Sequence, residues 1–213
     1  MIDNPPFAWN CDWTTDRTDK WLRVPEIQAL VGTPAKYLEV GVFEGRTFVW
    51  VLDNILTHPD ARAHCIDLFK DNPAFPAHVP DYYPLFRQHI EPYRSKVYIH
   101  WGYSHDQLDL LPTDEFDLIY IDAAHDQPSV EMDGRLAWPL LKAGGVMVFD
   151  DYGSGECMPG VNAFLESVEG QYIVLVKLYQ LIIQKNKLET DSAAASVQMP
   201  AQRKKTKAVS GGK

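Results

Sequence analysis

Three aspartates and a histidine in the second half of the chain have the types and the spacing to do chemistry. Asp122 and the pair Asp150-Asp151 each follow an apolar run typical of a strand, and His125 comes three residues after Asp122. Carboxylates gathered on one rim raise one another's pKa unless a cation compensates them, and open carboxylate oxygens suit a hard divalent ion. The sequence predicts a Mg²⁺ site formed by Asp122, Asp150 and Asp151, although such a pair also commonly caps a helix or a turn.

His125 is the best candidate for a general base at this rim. A free imidazole has a pKa of about 6.5 and can accept a proton at neutral pH. Most of the seven histidines are expected to be surface or capping residues, and that interpretation stays open for His125. Its position directly after a predicted strand end favours a catalytic role, together with Asp122.

A turn rich in glycine in the first half of the chain points to ligand binding. An apolar run that begins at Tyr37 passes through Glu39, the chain turns on Gly41 and Gly45, and a predicted helix follows from Arg46. Glycine lets the backbone turn sharply and lets a ligand lie close to its amides. The N–H groups at a helix start favour an anionic or carboxylate-bearing ligand. By itself this spacing is also typical of ordinary strand-to-helix turns.

Two further predicted strand ends carry polar or small residues. Asp67 ends the second run, and an acid there can accept both hydroxyls of a ribose. The third run is followed by a turn of small residues that includes Gly102 and Ser104, which an adenine ring could approach. These positions together indicate a nucleoside-containing ligand.

Alternation of short apolar runs with helical stretches predicts the elements that position these residues. We expect a doubly wound α/β fold with a seven-stranded, mostly parallel sheet and an antiparallel hairpin at one edge. The predicted strands are 37–41, 63–67, 97–101, 116–121, 145–149, 172–179 and 181–184. The predicted helices are 19–31, 46–56, 83–93, 104–110, 129–141 and 160–168, with Gly144-Gly145 as a helix stop. In such a sheet, ligands bind beyond the carboxyl ends of the strands.

The chain of 213 residues is predicted to hold one folded domain between two extensions. Residues 1–34 are expected to form an N-terminal extension with a helix, and residues 35–186 the ligand-binding domain. From 187 to 213 the composition turns to Ala, Ser, Gln and Lys, which predicts a disordered tail. The segment 71–83, rich in proline and aromatic residues, is expected to be a long connection that covers the site.

Charge and composition exclude several classes of protein. A net charge of −9 argues against a nucleic-acid-binding surface, and no apolar stretch approaches the length of about 20 residues that crosses a membrane. Cys11, Cys65 and Cys157 are too few and too scattered for a disulfide framework or a zinc site. No signal peptide is recognisable at the N-terminus. We therefore expect a cytoplasmic protein with reduced thiols.

Several of these motifs together resemble one enzyme family. The segments EVGVFEGRT, IDLF, FDLIYIDAAHD and LLKAGGVMVFDDY are similar to the motifs of class I S-adenosylmethionine (SAM)-dependent methyltransferases, over about residues 35–185. Within that superfamily, the part from IDAAH to VFDDY is most similar to metal-dependent sugar O-methyltransferases of the macrocin type and to cephalosporin-hydroxylase-like relatives. It also shares the carboxylate layout of catechol-type O-methyltransferases.

The resemblance implies a role for each matching residue. The methionine part of SAM would be held by Glu39, Gly41 and Gly45, with the amides around Phe43 and Thr47. Asp67 would accept the ribose hydroxyls. The adenine would pack on Leu68, and its edge would be bordered by Gly102 and Ser104. Asp122, Asp150 and Asp151 match the Mg²⁺ ligands of the metal-dependent members, with Asp122 also near SAM, and His125 falls at the position of the general base. The implied reaction is Mg²⁺-dependent O-methylation of a small molecule such as a sugar, a polyol or a catechol. Members of the family are often homodimers.

Two other functional classes share parts of this pattern. A nicotinamide-dependent oxidoreductase would normally show G-x-G-x-x-G, whereas positions 41, 43 and 46 are Gly, Phe and Arg. A protein that binds SAM or a nucleotide without methyl transfer, or a hydroxylase-like relative with the same acidic rim, remains the alternative.

Overall fold

The computed structural model describes Trp9 and residues 14–70 and 82–187. Its strands are β1 (Lys36–Val40), β2 (Arg62–Asp67), β3 (Val97–Trp101), β4 (Phe116–Ile121), β5 (Leu141–Phe149), β6 (Tyr172–Lys177) and β7 (Leu181–Lys185). They form one sheet in the order β3-β2-β1-β4-β5-β7-β6. The first five strands pair in parallel, whereas β7 is antiparallel to both β5 and β6. The predicted fold class, including its antiparallel edge hairpin, is confirmed.

The helices of the described residues cover both faces of this sheet. They are α1 (Thr15–Thr18), α2 (Pro25–Gln28), α3 (Arg46–Asn54), α4 (Tyr83–Ile90), α5 (Ser104–Leu108), α6 (Gln127–Ala137) and α7 (Met158–Ser167). Short 3-10 turns lie at Trp21–Arg23, Glu91–Tyr93, Trp138–Leu140 and Tyr152–Ser154. No helix among the residues described here has both the length and the apolar character needed to cross a membrane.

Each face of the sheet carries its own apolar layer. In β5, Val146 and Val148 pack into one layer and Met147 and Phe149 into the other, as the alternation of side chains along a strand requires. The α3 and α4 helices contribute to the first layer, and α5, α6 and α7 to the second. Because both faces are covered, the open edge for a ligand is the carboxyl end of the strands.

The prediction of one continuous helix over 19–31 was wrong. The structure has the 3-10 turn Trp21–Arg23 and then the separate short helix α2. Pro25 explains the break, because a residue that precedes proline is pushed out of the helical region. Val24 is accordingly extended, with φ −87° and ψ 113°.

The glycine pair Gly144-Gly145 is also placed differently from the prediction. Both residues lie within β5 rather than between a helix and a strand. The pairing register with β4 shifts between Phe116 and Leu118, so that residues 142–145 form an irregular, bulged segment. Gly144 has φ +81°, a conformation that suits glycine in a bulge.

The carboxyl ends of β1, β4 and β5 meet at one place. The amide of Asp122 donates to Val40 O at 2.8 Å, and the amide of Asp150 donates to Ile121 O at 3.0 Å. The hydrogen bonding between neighbouring strands thus continues just past their ends. The residues of the predicted site are brought side by side by this register.

Several expectations lie outside the described residues. These are the predicted tail beyond Lys187, most of the connection 71–83, and Cys11. The division into domains and a homodimer also stay predictions.

Candidate active site

A cavity of about 840 Å³ opens at the carboxyl ends of the parallel strands. This volume lies in the range of pockets that bind small molecules and cofactors. Nearly all residues singled out from the sequence line it, namely Glu39, Gly41, Phe43, Thr47, Asp67, Leu68, Gly102, Ser104, Asp122, His125, Asp150 and Asp151. Gly45 is the one of that set that does not.

Two glycines shape the turn after β1, and each is required by a different close contact. A Cβ on Gly41, which has φ +87°, would lie 2.2 Å from the carbonyl oxygen of Asp122. This glycine therefore lets the turn after β1 lie against the end of β4. Gly45, with φ +84°, faces the ring of Phe86 instead, since a Cβ there would lie 2.7 Å from Phe86 Cδ2. The structure thus places Gly45 behind the turn rather than at the cavity wall.

Of the four non-glycine residues with positive φ in the described part of the chain, Asp114 lies away from the cavity and the other three follow strand ends. Phe43 has φ +49°, Phe69 has φ +48° and Asp151 has φ +51°. Such conformations cost about 1 kcal/mol or more and are often found at binding sites, where the surrounding structure holds them. Two of these residues, Phe43 and Asp151, line the cavity.

Glu39 lies at the inner wall of the cavity and is almost fully buried. Tyr37, two residues earlier on the same side of β1, donates its hydroxyl to Glu39 Oε2 at 2.6 Å. Burial raises the pKa of Glu39 well above its ordinary value, against the lowering effect of this hydrogen bond. A cationic group bound in the cavity could pair with this buried carboxyl group, which already accepts a hydrogen bond from Tyr37.

Asp67 is held by the backbone of its own neighbourhood. Its Oδ2 accepts from the amides of Val42 at 2.8 Å and Phe43 at 3.0 Å. Its Oδ1 accepts from the amide of Phe69 at 2.7 Å and the hydroxyl of Tyr82 at 2.8 Å. The acid that the sequence predicts for ribose binding therefore fixes the turn after β1 in this structure.

Asp122 and His125 lie together at the end of β4. His125 Nε2 lies 3.8 Å from Asp122 Oδ1 and 3.3 Å from Asp151 Oδ2. Burial raises the pKa of Asp122 to about 7, opposed by the neighbouring His125 and by the hydrogen bond from Tyr120 and helped by the charges of Asp150 and Asp151. The neighbouring Asp122 in turn raises the pKa of His125. The imidazole side chain is 46% exposed and faces the cavity, where it could exchange a proton with a ligand.

Asp150 has both carboxylate oxygens occupied by side chains. Arg17 Nη1 donates to its Oδ2 at 2.6 Å, and Gln180 Nε2 donates to its Oδ1 at 2.9 Å. Gln180 is held in turn by the indole N–H of Trp21, at 2.8 Å. The side chain of Asp150 is only 2% exposed, so the Arg17 guanidinium compensates a buried charge.

Asp151 accepts a hydrogen bond at its Oδ1 from the hydroxyl of Tyr179. Tyr179 also accepts a hydrogen bond from Arg17 Nη2 at 3.1 Å, and the guanidinium lies 4.4 Å from the centre of its ring. The hydrogen bond to Asp151 raises the pKa of Tyr179 to about 12. Arg17 and Tyr179 therefore form the outer wall of the acidic rim.

The group of side chains that could hold a metal ion differs from the predicted one. Among the described residues, ligand atoms of Asp122, His125 and Asp151 lie within 4.8 Å of one another. Asp150 is not part of this group, and its two oxygens accept from Arg17 and Gln180 instead. Two carboxylates fit a divalent cation, whereas an imidazole nitrogen is a ligand more typical of transition metals than of Mg²⁺.

Sequence reasoning missed two residues of the site, Arg17 and Tyr179, and it gave Tyr82 no contact with Asp67. Arg17 lies in the N-terminal extension and Tyr179 in the turn between β6 and β7, so both are far in sequence from the acids that they contact. Tyr82 lies at the end of the long connection and contacts Asp67. No local spacing marks these residues, because tertiary packing alone brings them to the cavity.

Comparison with known proteins gives a family and a fold. A family model described as "Methyltransferase domain" matches residues 38–152. The uncharacterized protein R132 of Acanthamoeba polyphaga mimivirus is 29% identical over 153 residues, which cover 64% of this chain and 62% of that protein.

Two solved methyltransferases illustrate the shared fold. The O-methyltransferase TomG of Streptomyces achromogenes, involved in tomaymycin synthesis and solved with SAM, superposes with a TM-score of 0.59 at 19% identity, covering 85% of this chain and 83% of TomG. MycE methyltransferase from the mycinamycin pathway, solved with Mg, S-adenosylhomocysteine (SAH) and mycinamycin VI, gives 0.55 at 16% identity, covering 85% of this chain and 52% of MycE. At such identities the likeness shows the fold.

The family match spans more than half of the chain, from the end of β1 to the residues after β5, and includes the glycine turn and the acidic rim. With its sheet order and its cavity at the strand ends, the protein has the architecture of class I SAM-dependent methyltransferases and belongs to the methyltransferase-domain family.

Proposed function

We propose that the protein transfers the methyl group of SAM to a hydroxyl group of a small molecule, such as a sugar, a polyol or a catechol, with His125 as general base. The observation that carries this proposal is the placement of His125. Its Nε2 lies 3.3 Å from Asp151 Oδ2 and 3.8 Å from Asp122 Oδ1, on the wall of the cavity that the glycine turn also lines. This arrangement supports proton removal beside the bound cofactor.

Two features of the donor half of the cavity support binding of SAM. The glycine turn lets the backbone lie close to a ligand, and Glu39 and Asp67 offer carboxylates toward the cationic and hydroxyl groups of the cofactor. The backbone amides that donate to Asp67 are fixed in the turn. A ribose hydroxyl would therefore replace the hydroxyl of Tyr82 as a hydrogen-bond donor to Asp67 Oδ1. When bound, SAM supplies an electrophilic methyl group on a sulfonium.

The acceptor half supplies the proton chemistry. His125 would take the proton of the acceptor hydroxyl at its Nε2, and the carboxylates of Asp122 and Asp151 would stabilise the imidazolium that forms. Arg17 and Tyr179 close this half from the outside, which limits the access of water to the acceptor. A positioned base of this kind contributes about 10²–10⁴-fold to the rate.

We further propose that Asp122 and Asp151 hold a divalent metal ion, of which Mg²⁺ is the one that the sequence indicates. Such an ion lowers the pKa of a hydroxyl bound to it. Asp150 would join as a third ligand only after release of its ion pair with Arg17. The presence of Mg in the structure of the related MycE supports this part of the proposal.

A methyl-transfer assay with labelled SAM and a panel of sugars, polyols and catechols tests the reaction. We expect His125→Ala to lower the rate by about 10²–10⁴-fold while SAH binding is kept. His58→Gln is the matched control, because His58 lies outside the cavity. Equal rates for His125→Ala and the unmodified protein would refute the role of His125. Tight binding of SAH without transfer to any member of the panel would favour the alternative of a binding protein without methyl transfer.

Binding of Mn²⁺, followed by electron paramagnetic resonance with Mg²⁺ as competitor, tests the metal site separately. We expect Asp151→Asn to weaken binding at least about tenfold, since it removes a carboxylate ligand. Arg17→Met should strengthen binding, since it frees Asp150. Glu169→Gln, on the surface after α7, is the control for loss of one negative charge. Mn²⁺ affinity that is the same in all four proteins would exclude this site.

A further inference from the structure

The two acids of the proposed cation site each place one oxygen close to His125. Asp122 accepts from the hydroxyl of Tyr120 at its Oδ2, with 3.0 Å between the oxygens, and its Oδ1 lies 3.8 Å from His125 Nε2. Asp151 accepts from the hydroxyl of Tyr179 at its Oδ1, and its Oδ2 lies 3.3 Å from the same nitrogen. The donor set at this place is therefore two carboxylate oxygens and one imidazole nitrogen.

Arg17 keeps the neighbouring carboxylate of Asp150 out of this donor set. Its Nη1 donates to Asp150 Oδ2 at 2.6 Å, while Gln180 Nε2 donates to Oδ1 at 2.9 Å. Tyr179 holds the guanidinium in place, with its hydroxyl 3.1 Å from Nη2 and its ring centre 4.4 Å from the guanidinium carbon. A third carboxylate thus lies beside the site, but both of its oxygens are used by the protein.

The donor set and its distances distinguish two classes of divalent ion. Mg²⁺ demands a near-octahedral set of oxygens at about 2.0–2.1 Å, which lie about 2.9 Å apart. Zn²⁺ accepts imidazole and carboxylate in a tetrahedron with bonds of about 2.0–2.2 Å, whose ligand atoms lie about 3.3–3.6 Å apart. The separations of 3.3 Å and 3.8 Å from His125 Nε2 to Asp151 and Asp122 are closer to the second arrangement. With Asp150 bound by Arg17, the group fits an ion that accepts nitrogen.

We propose that Arg17 is a specificity-determining residue, which withholds Asp150 from the cation site and so makes the site select an ion that accepts nitrogen, such as Zn²⁺, over Mg²⁺. This inference rests on the cation site of the proposed function and assigns the kind of ion that it takes. An ion that binds His125 Nε2 uses the lone pair by which this atom would accept a proton. The choice of ion therefore decides whether His125 is a ligand or a base.

Displacement of Mn²⁺ by Zn²⁺ and by Mg²⁺, followed by electron paramagnetic resonance on the metal-free full chain, tests the inference. We expect Zn²⁺ to displace Mn²⁺ at concentrations at least about 100-fold lower than Mg²⁺. In Arg17→Met, Asp150 becomes available as a third oxygen ligand, so the ratio of the two affinities should fall at least about tenfold. Loss of the positive charge by itself strengthens the binding of both divalent ions equally, so the ratio reports a change of ligands.

His125→Gln tests the nitrogen ligand. The amide offers no imidazole nitrogen, so the affinity for Zn²⁺ should fall at least about tenfold, while that for Mg²⁺ should change less than about threefold. Arg135→Met removes a guanidinium from the exposed side of α6 and, as the control for Arg17→Met, should leave the ratio unchanged. If Arg17→Met does not fold, as shown by thermal unfolding, Arg17→Gln, which is shorter and uncharged, carries the test.

The outcomes separate this inference from the proposed function. A preference for Zn²⁺ below about tenfold in the unmodified protein, or an unchanged ratio in the folded Arg17 variant or in His125→Gln, would overturn the inference and leave the cation site standing. Failure of the unmodified protein to bind Mn²⁺ would overturn both the inference and the proposed metal ion. Methyl transfer from labelled SAM is measured separately, so failure of the proposed reaction is distinguished from failure of the ion selectivity.

Discussion

Asp67 in the donor half of the cavity and the acids of the acceptor half are held by different means. Asp67 accepts mainly from backbone amides, those of Val42, Phe43 and Phe69, beside the hydroxyl of Tyr82. In the acceptor half, Asp150 and Asp151 accept instead from side chains. A backbone amide is present whatever the residue, so the donor half depends mainly on a turn of the right shape. The acceptor half depends on particular residues brought from distant parts of the chain.

The largest effect is expected where the turn itself is broken. In Gly41→Ala the new Cβ would lie 2.2 Å from the carbonyl oxygen of Asp122, at a φ of +87°. The backbone must move to relieve this contact, so the free energy of unfolding should fall by about 3 kcal/mol or more and SAH binding should be lost. Urea unfolding and calorimetry measure the two effects.

Gly155→Ala is the matched control for this substitution. Gly155 has a similar φ of +91°, but a Cβ there meets nothing within 4 Å. Its cost should be that of the left-handed conformation alone, about 1 kcal/mol. Equal destabilisation by the two substitutions would mean that the contact with Asp122 has no part in shaping the donor half.

The second effect concerns the acceptor half. Arg17→Met leaves the buried carboxylate of Asp150 with Gln180 as its only partner known from the structure. Removal of one member of a buried ion pair costs about 3–5 kcal/mol, and the partial exposure of Arg17 lowers the expected loss to about 2–3 kcal/mol. Urea unfolding at neutral pH measures it.

Arg135→Met provides the comparison for Arg17→Met. Arg135 pairs with Glu131 one turn earlier on the exposed side of α6, and its loss should cost less than about 0.5 kcal/mol. If the two substitutions destabilise the protein equally, the ion pair of Arg17 with Asp150 is worth no more than a surface pair. The acceptor half would then not depend on the N-terminal segment.

The same contrast explains what the sequence could predict. Some features of the site are local in the sequence, because each comes directly after an apolar run that predicts a strand. These are the turn around Gly41, the acid Asp67 and the acids after β4 and β5. The sheet type and the residues at its carboxyl edge were therefore predictable. The partners of Asp150 were not, because Arg17 and Gln180 are 133 and 30 residues away from it in the chain.

Local chemistry also explains the errors within elements. Pro25 divides the predicted helix 19–31, a break that the rule for residues before proline would have found. The sequence predicts a helix stop at Gly144 because a bulge inside a strand and a helix end both favour glycine with positive φ. The break at Pro25 is thus a local effect, whereas the element around Gly144 depends on the pairing of β5 with β4.

The smallest expected effect contrasts two histidines, His125 on the cavity wall and His64, which does not line the cavity. His125 has two carboxylates beside it, whereas His64 of β2 has the imidazole of His100 as its partner, with 3.0 Å between His64 Nδ1 and His100 Nε2. Burial and the neighbouring His100 lower the pKa of His64 to about 4. The folded protein therefore keeps His64 neutral under conditions where the unfolded chain, with a histidine pKa of about 6.5, already binds a proton.

The sign of the pH dependence follows from this difference. Because the unfolded state binds more protons below pH 6.5, the contribution of His64 to the free energy of unfolding is complete above that pH and falls between about pH 6.5 and 4. Between pH 7.5 and 5 we expect a loss of about 1 kcal/mol from His64, less than the full shift would give because the ring is partly open to solvent. His64→Gln should remove this part of the slope, and His58→Gln, on an exposed turn, should keep it. Urea unfolding of the three proteins between pH 7.5 and 5 measures how the free energy of unfolding changes with pH. If all three change equally, the lowered pKa of His64 makes no contribution to stability.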